Sequence, residues 1–183
     1  MGFRGMMRHL DAPMAGFDTA LGRCAVRWTV EGISGVLLPG PRTDDAPNVE
    51  DVRGLPGFVA VAIAGMIAIL DGVQRDLGDV PLDERGIDAF RLAVYRATQA
   101  IPAGSTATYG QLARALGRTD AEGARDVGAA LARNPFPIVV PCHRVLAANG
   151  ALHGFSAPGG LATKRRMLEL EGAPGFGQQV LFG

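Results

Sequence analysis

The sequence predicts an α+β fold in two units: a small β-sheet with one helix, then a helical unit built on a helix-turn-helix. Three observations carry that prediction. Strand-like segments cluster before Pro39. Helical spacing with start and stop signals dominates after residue 86. The charge divides between the same two halves. Over 183 residues, 18 basic side chains balance 18 acidic ones. Residues 1–85 hold 8 basic and 12 acidic groups, a net of −4, and residues 86–183 hold 10 and 6, a net of +4. A net charge of zero taken whole argues against a nucleic-acid partner, which calls for a basic footprint. Divided, it leaves the second half able to supply one.

Composition narrows the classes further. Hydrophobic residues at 48% and charged residues at 20% exclude wholesale disorder. Cys24 and Cys142 are too few for a disulfide framework and lack zinc-ligand spacing, so no metal is expected. The longest apolar run, Phe58 to Leu70, is 13 residues, short of the roughly 20 that a membrane span needs. Arg4 and Arg8 are not followed by an apolar stretch, which disfavours a signal peptide. The expectation is a cytoplasmic, monomeric protein with no membrane partner.

Residues 1–18 show no period and are expected to be a tail. Ala25–Val30 and Ile33–Leu38 read as strands joined by a Glu31-Gly32 turn. Pro39–Pro47 reads as a loop and Gly57–Leu70 as a helix covered on more than one side. A connector, Asp71–Asp83, leads to a boundary near Arg85, giving units at 19–85 and 86–174 and a tail at 175–183. Ile87–Gln99 has helical spacing. Thr108 with Gln111 forms a capping box for a helix through Leu116, stopped by Gly117. Thr119 with Glu122 repeats the box for a helix to Arg133, ended by Asn134-Pro135. Two short capped helices around a glycine turn make the helix-turn-helix signature. Val145–Phe155, interrupted by Asn149-Gly150, carries a hairpin signal. The last helix, Leu161–Leu170, closes at Gly172.

Two features carry chemistry. On the second helix of the pair, Ala124, Val127, Gly128 and Leu131 share one face, and Arg125, Ala129 and Arg133 the other. That second face is either an ordinary solvated surface or one that approaches a DNA groove, with an arginine able to fill the space of an extruded base. The other feature is Pro137-Ile138-Val139-Val140-Pro141-Cys142-His143-Arg144. A cysteine beside a histidine, framed by prolines, is either a buried structural thiol or a nucleophile activated by a neighbouring base. Glu171 is the carboxylate best placed along the chain to orient the imidazole. Cys24, in mid-strand without a basic neighbour, reads as structural.

Val140-Pro141-Cys142-His143-Arg144-Val145-Leu146 resembles the active-site pattern of the methylated-DNA–protein-cysteine methyltransferases, which repair O6-alkylguanine in DNA. The resemblance extends through Ile101-Pro102-Ala103-Gly104, Thr108-Tyr109-Gly110-Gln111-Leu112-Ala113, Ala124-Arg125-Asp126-Val127-Gly128 and Arg133-Asn134-Pro135. Downstream it takes in Gly154-Phe155-Ser156, Gly159-Gly160-Leu161, Lys164 and Glu171-Gly172. It is strong over residues 82–172 and confined before that to Leu21-Gly22 and Gly32–Val36.

The resemblance implies a ribonuclease-H-like first unit and a winged helix-turn-helix second unit. It implies that Cys142 takes the alkyl group irreversibly, that His143 acts as base through a water, and that Glu171 holds His143. Tyr109 would bond the flipped base and supply a proton to it. Arg125 would fill the vacated stack, and Asn134 would brace the active-site turn. Ser156 and Phe155 would close the pocket. Arg144, Ala129 and Lys164 complete the expected substrate- and DNA-binding set. The implied partner is double-stranded DNA carrying O6-alkylguanine, or less favourably O4-alkylthymine. Departures from the family pattern are Asp126 in place of Ala, Phe155 for Tyr, Tyr95 for Trp (read as a packing change), Gly110, and an added Ala157-Pro158 in the pocket loop. A non-catalytic protein that recognises alkylated DNA is the alternative disfavoured by Cys142. A cysteine hydrolase or redox sensor is disfavoured by the helix-turn-helix.

Overall fold

A computed structural model describes residues 12–49 and 52–177 of the chain. Its architecture is mixed α/β, with a small antiparallel sheet and a set of packed helices. Strands β1 (Met14–Thr19), β2 (Gly22–Trp28) and β3 (Ile33–Leu37) form the sheet in that order. Met14 lies opposite Arg27, Thr19 opposite Gly22, and Val26 opposite Val36.

β1 corrects the tail expected over 1–18, of which residues 1–11 lie outside the described residues. The strand escapes sequence reading because Ala15, Gly16 and Phe17 are buried consecutively and do not alternate. Gly16 is covered by Arg23, which donates to Ala46 O at 2.7 Å. The β2–β3 turn depends on Gly32, whose φ is +150°; a Cβ there would stand 2.5 Å from Pro81 O. The connector is pinned at this point, with Ile33 N donating to Pro81 O (2.8 Å) and Asp83 N to Ile33 O (2.7 Å). The loop expected at 39–47 contains one helical turn, α1 (Pro41–Asp44), for which Pro41 supplies the fixed first φ.

Helix α2 (Gly57–Leu70) packs on β1 and β2 and touches the last helix. Val59, Ala62, Ile63, Met66, Ile69 and Leu70 are buried, while Val61 and Ala64 remain exposed, so the cover is less complete than its composition implies. Helix α3 (Ala89–Gln99) begins two residues after its periodic pattern because Asp88 caps it, accepting from Arg91 N at 2.9 Å.

Helix α4 (Tyr109–Ala115) has the expected Thr108–Gln111 box. Helix α5 (Gly123–Leu131) does not use Thr119. The Asp120 carboxylate accepts from Glu122 N (3.1 Å) and Gly123 N (2.7 Å), because an ionised acceptor outcompetes a hydroxyl at a helix start. α3, α4 and α5 pack on one another.

The hairpin expected at Val145–Phe155 is also corrected. β5 (Val145–Leu146) pairs in parallel with β4 (Ala107–Thr108). Asn149-Gly150 does form a turn, closed by Ala147 N to Ala151 O at 3.0 Å. Residues 151–156 form no return strand. Helix α6 (Gly160–Leu170) ends at Gly172 in the left-handed region. One hydrophobic cluster joins both halves, with Val26, Ile33 and Met66 in contact continuity with Tyr95, Phe136 and Met167. Among the described residues no helix is long and apolar enough to cross a membrane.

Candidate active site

The segment after α5 is held by its own side chains and prolines. Asn134 donates from Nδ2 to Val140 O (2.8 Å) and accepts at Oδ1 from Phe136 N (2.9 Å). Val140 N closes the loop on Phe136 O at 2.7 Å. Within it Ile138 has φ +73°, and no other non-glycine described residue has a positive φ. A β-branched residue in that region is strained, and the buried Ile138, Val139 and Val140 hold it there. The loop delivers Cys142 at the start of a 3₁₀ turn, Cys142–Arg144. Cys142 is half-buried and faces a cleft, while His143 and Arg144 turn inward.

Behind the cysteine, the structure brings together the histidine and carboxylate that the sequence paired. His143 Nε2 lies 2.8 Å from Glu171 Oε1. Arg144 grips the same carboxylate with both edges, Nε to Oε2 at 2.9 Å and Nη2 to Oε1 at 2.8 Å, and donates Nη1 to Ile101 O at 2.7 Å. Burial resists the charge on Glu171. The hydrogen bond from His143, then the hydrogen bonds and charge of Arg144, outweigh it and hold the carboxyl at about 2. An ionised carboxylate can only accept, so the His143 proton sits on Nε2 and the lone pair on Nδ1. Nδ1 is buried without a protein hydrogen-bond partner. Burial lowers the His143 pKa against the pull of Glu171, so the ring is neutral. Burial also pushes the Cys142 thiol up, opposed by the Asn134 amide and the charge of Lys164.

Tyr109, at the start of α4, donates its hydroxyl to His153 O at 3.0 Å; burial, then Cys142, raises its pKa. Arg125 and Ala129 are exposed on α5 as the helical spacing predicts. Ser156 donates to Ala132 O at 3.0 Å, and Phe155 packs on the core. Cys142, Tyr109, Asn134 and Arg125 share a cleft of about 1180 Å³ that is also lined by Ser34–Leu37 of β3 and by Leu38.

Two expected DNA-binding residues are placed elsewhere. Arg144 is 4% exposed and committed to Glu171, and Lys164 is fully buried. Lys164 donates to Val145 O (2.6 Å) and His153 O (3.0 Å), and its pKa is lowered to about 8 by burial. Neither side chain is presented to a phosphate. Asp126, a departure from the family pattern, is paired, accepting from Arg118 Nη2 at 2.6 Å. Sequence reasoning missed Arg118 as its partner, the β3 wall, and Arg91 and Tyr95 behind α5. The spacing of these residues carries no signal that links them.

Residues 89–173 match the family model for the DNA-binding domain of 6-O-methylguanine DNA methyltransferase. A methylated-DNA–protein-cysteine methyltransferase of Mycolicibacterium paratuberculosis is 48% identical over 164 residues, covering 90% of both chains. The Salmonella typhimurium protein of that name is 43% identical over 119 residues, 65% of this chain, and the match spans only 63% of its own length. Among solved structures, Mycobacterium tuberculosis OGT in complex with DNA superposes with a TM-score of 0.68 at 32% identity, covering 89% of this chain and 96% of that one. On the shared motif, the length of the match and the common fold, this chain belongs to the methylated-DNA–protein-cysteine methyltransferase family.

Proposed function

We propose that the chain repairs O6-alkylguanine in duplex DNA, and less readily O4-alkylthymine, by moving the alkyl group to its own Cys142. The observation that carries this reading is the cleft-facing Cys142 backed by the closed His143–Glu171–Arg144 network. In the reaction the Cys142 sulfur forms a bond to the alkyl carbon as the bond from that carbon to the guanine oxygen breaks. The thiol proton passes through a water to His143 Nδ1, and Glu171 stabilises the resulting cation. Tyr109, kept protonated by its raised pKa, gives a proton to the departing base and is reprotonated from the relay. The net exchange is alkyl for hydrogen on guanine and hydrogen for alkyl on sulfur. The base competes with His153 O for the Tyr109 proton.

Arg125 fills the stack left by the extruded nucleotide, and Ala129 lets α5 approach the groove. Asn134 braces the turn, and Phe155 and Ser156 close the pocket, with Ala157 and Pro158 bordering the same cleft. No cofactor takes part. The thioether has no route back to the thiol, so each molecule acts once. The unit at 19–85, joined by β1, forms a supporting ribonuclease-H-like domain and the unit at 86–174 a winged helix-turn-helix, working as a cytoplasmic monomer.

The test is incubation with a duplex carrying labelled O6-methylguanine. Label moves to Cys142 with a ceiling of one methyl per chain. Absence of transfer with retained binding turns the reading to lesion recognition alone, and multiple turnovers contradict the single-use step.

A further inference from the structure

The last carbonyls of a helix have no partner within it; at the end of α5 and just past it, side chains from α3 reach Ala130 O, which also accepts from Arg133 N at 3.2 Å, and Arg133 O. Tyr95 on α3, 1% exposed, donates its hydroxyl to Ala130 O at 3.3 Å. Arg91, one turn earlier, donates Nη2 to the Tyr95 oxygen at 3.2 Å and to Arg133 O at 3.3 Å. Its guanidinium stands 5.9 Å from the centroid of the Tyr95 ring. That ring meets Phe136 edge-on, at 90° with centroids 6.3 Å apart. Phe136 belongs to the Asn134–Val140 loop that delivers Cys142. One pair of α3 residues therefore touches both the end of the helix bearing Arg125 and the loop bearing the nucleophile.

The substitution of tyrosine for the family's tryptophan is consequently more than a change of packing. An indole has one N–H donor and no acceptor oxygen, so it cannot both accept from Arg91 and donate to Ala130 O. The relay needs a hydroxyl at residue 95 with a cationic N–H donor one turn before it.

We infer that Arg91 and Tyr95 are positioning residues that set α5 at its working angle to DNA. They act through the Ala130 and Arg133 carbonyls, not on the reacting atoms. The inference rests on the DNA-repair reading above. Tyr95→Phe keeps the ring and its contact with Phe136, and Arg91→Ala removes the donor. Each variant, the double variant and the parent are measured for binding to unmodified duplex DNA, for transfer from methylated duplex, and for transfer from free O6-methylguanine, which needs Cys142 but no groove.

Each single variant weakens duplex binding about three- to tenfold, the equivalent of one or two hydrogen bonds, and leaves free-base transfer within about twofold of the parent. Arg91→Lys, which keeps a donor, restores most of the binding. The double variant loses less than the product of the single losses, since both side chains work through one relay. Unchanged duplex binding, strictly multiplicative losses, or an equal fall in free-base and duplex transfer overturns the inference. A parent that binds DNA but transfers from neither substrate defeats the repair reading, while duplex binding still decides the role of the pair.

Discussion

Behind Cys142, His143, Arg144 and Glu171 are nearly solvent-free and bond one another through short, charge-assisted contacts. In front of it, Arg125, Ala129 and Arg133 stand in water, and Arg125 has no ion-pair partner among the described residues. The two regions answer different electrostatic demands. A charge that must stay fixed through a proton transfer is buried and over-determined by partners, since removing one leaves the others uncompensated. A charge that meets a polyanion gains most when it is uncommitted beforehand and its counterions can be released. The same contrast separates the two buried cations from the expected DNA set: Arg144 and Lys164 are basic in composition but serve the interior.

The strongest test of this contrast removes the atom between the regions. Cys142→Ser abolishes transfer of labelled methyl while the thermal midpoint moves little. Next, Glu171→Gln leaves Arg144 and His143 without their anion and lowers stability by about 3–5 kcal/mol in denaturant titration. Transfer falls with it. The same residue sets a pH signature. Its folded pKa, about 2, lies below its ordinary value of 4.5, so its stabilisation is complete above the unfolded pKa and is lost as pH falls toward 2. Denaturant titrations of the parent are expected to show a loss of about 2 kcal/mol between pH 5 and pH 3 from this group, a loss that Glu171→Gln will not share.

On the exposed side, Arg125→Ala lowers repair of duplex DNA by about tenfold with stability within about 0.5 kcal/mol, and free-base transfer is untouched. A matching loss of stability would erase the distinction between the two regions. The smallest effect belongs to Asp126→Ala. It removes one of the two carboxylates paired with Arg118, leaving Asp120, and steepens the salt dependence of DNA binding by up to about one charge. An unchanged slope means that neither Asp126 nor Arg118 lies near the phosphates.

Legibility in the sequence follows how local each signal is. The Thr108–Gln111 box and the Gly117 and Gly172 stops depend on neighbours along the chain, and all occur where they were read. The Cys142–His143 pair is adjacent, and Glu171 follows 28 residues after the histidine at the end of an obvious helix. Tertiary partners displaced other expectations. β1 exists because β2 pairs with it. β5 pairs with β4 and not with the residues beyond Asn149-Gly150, because Ala107–Thr108 offers a parallel edge. The Asp120 carboxylate, and not Thr119, takes the amides of Glu122 and Gly123 before α5, since an ionised acceptor binds them more strongly.

By itself, then, the sequence determined the Cys142–His143 pair and its carboxylate partner Glu171, the helix pair and the exposed arginine face, since motif order and helical period are properties of the chain alone. Only the tertiary structure decided which charges face water. Burial and long-range pairing turned Arg144 and Lys164 inward, tied Asp126 to Arg118, and brought Arg91 and Tyr95 to the end of α5. Residue type fixes the charge, but the partners within about 3 Å fix what that charge does.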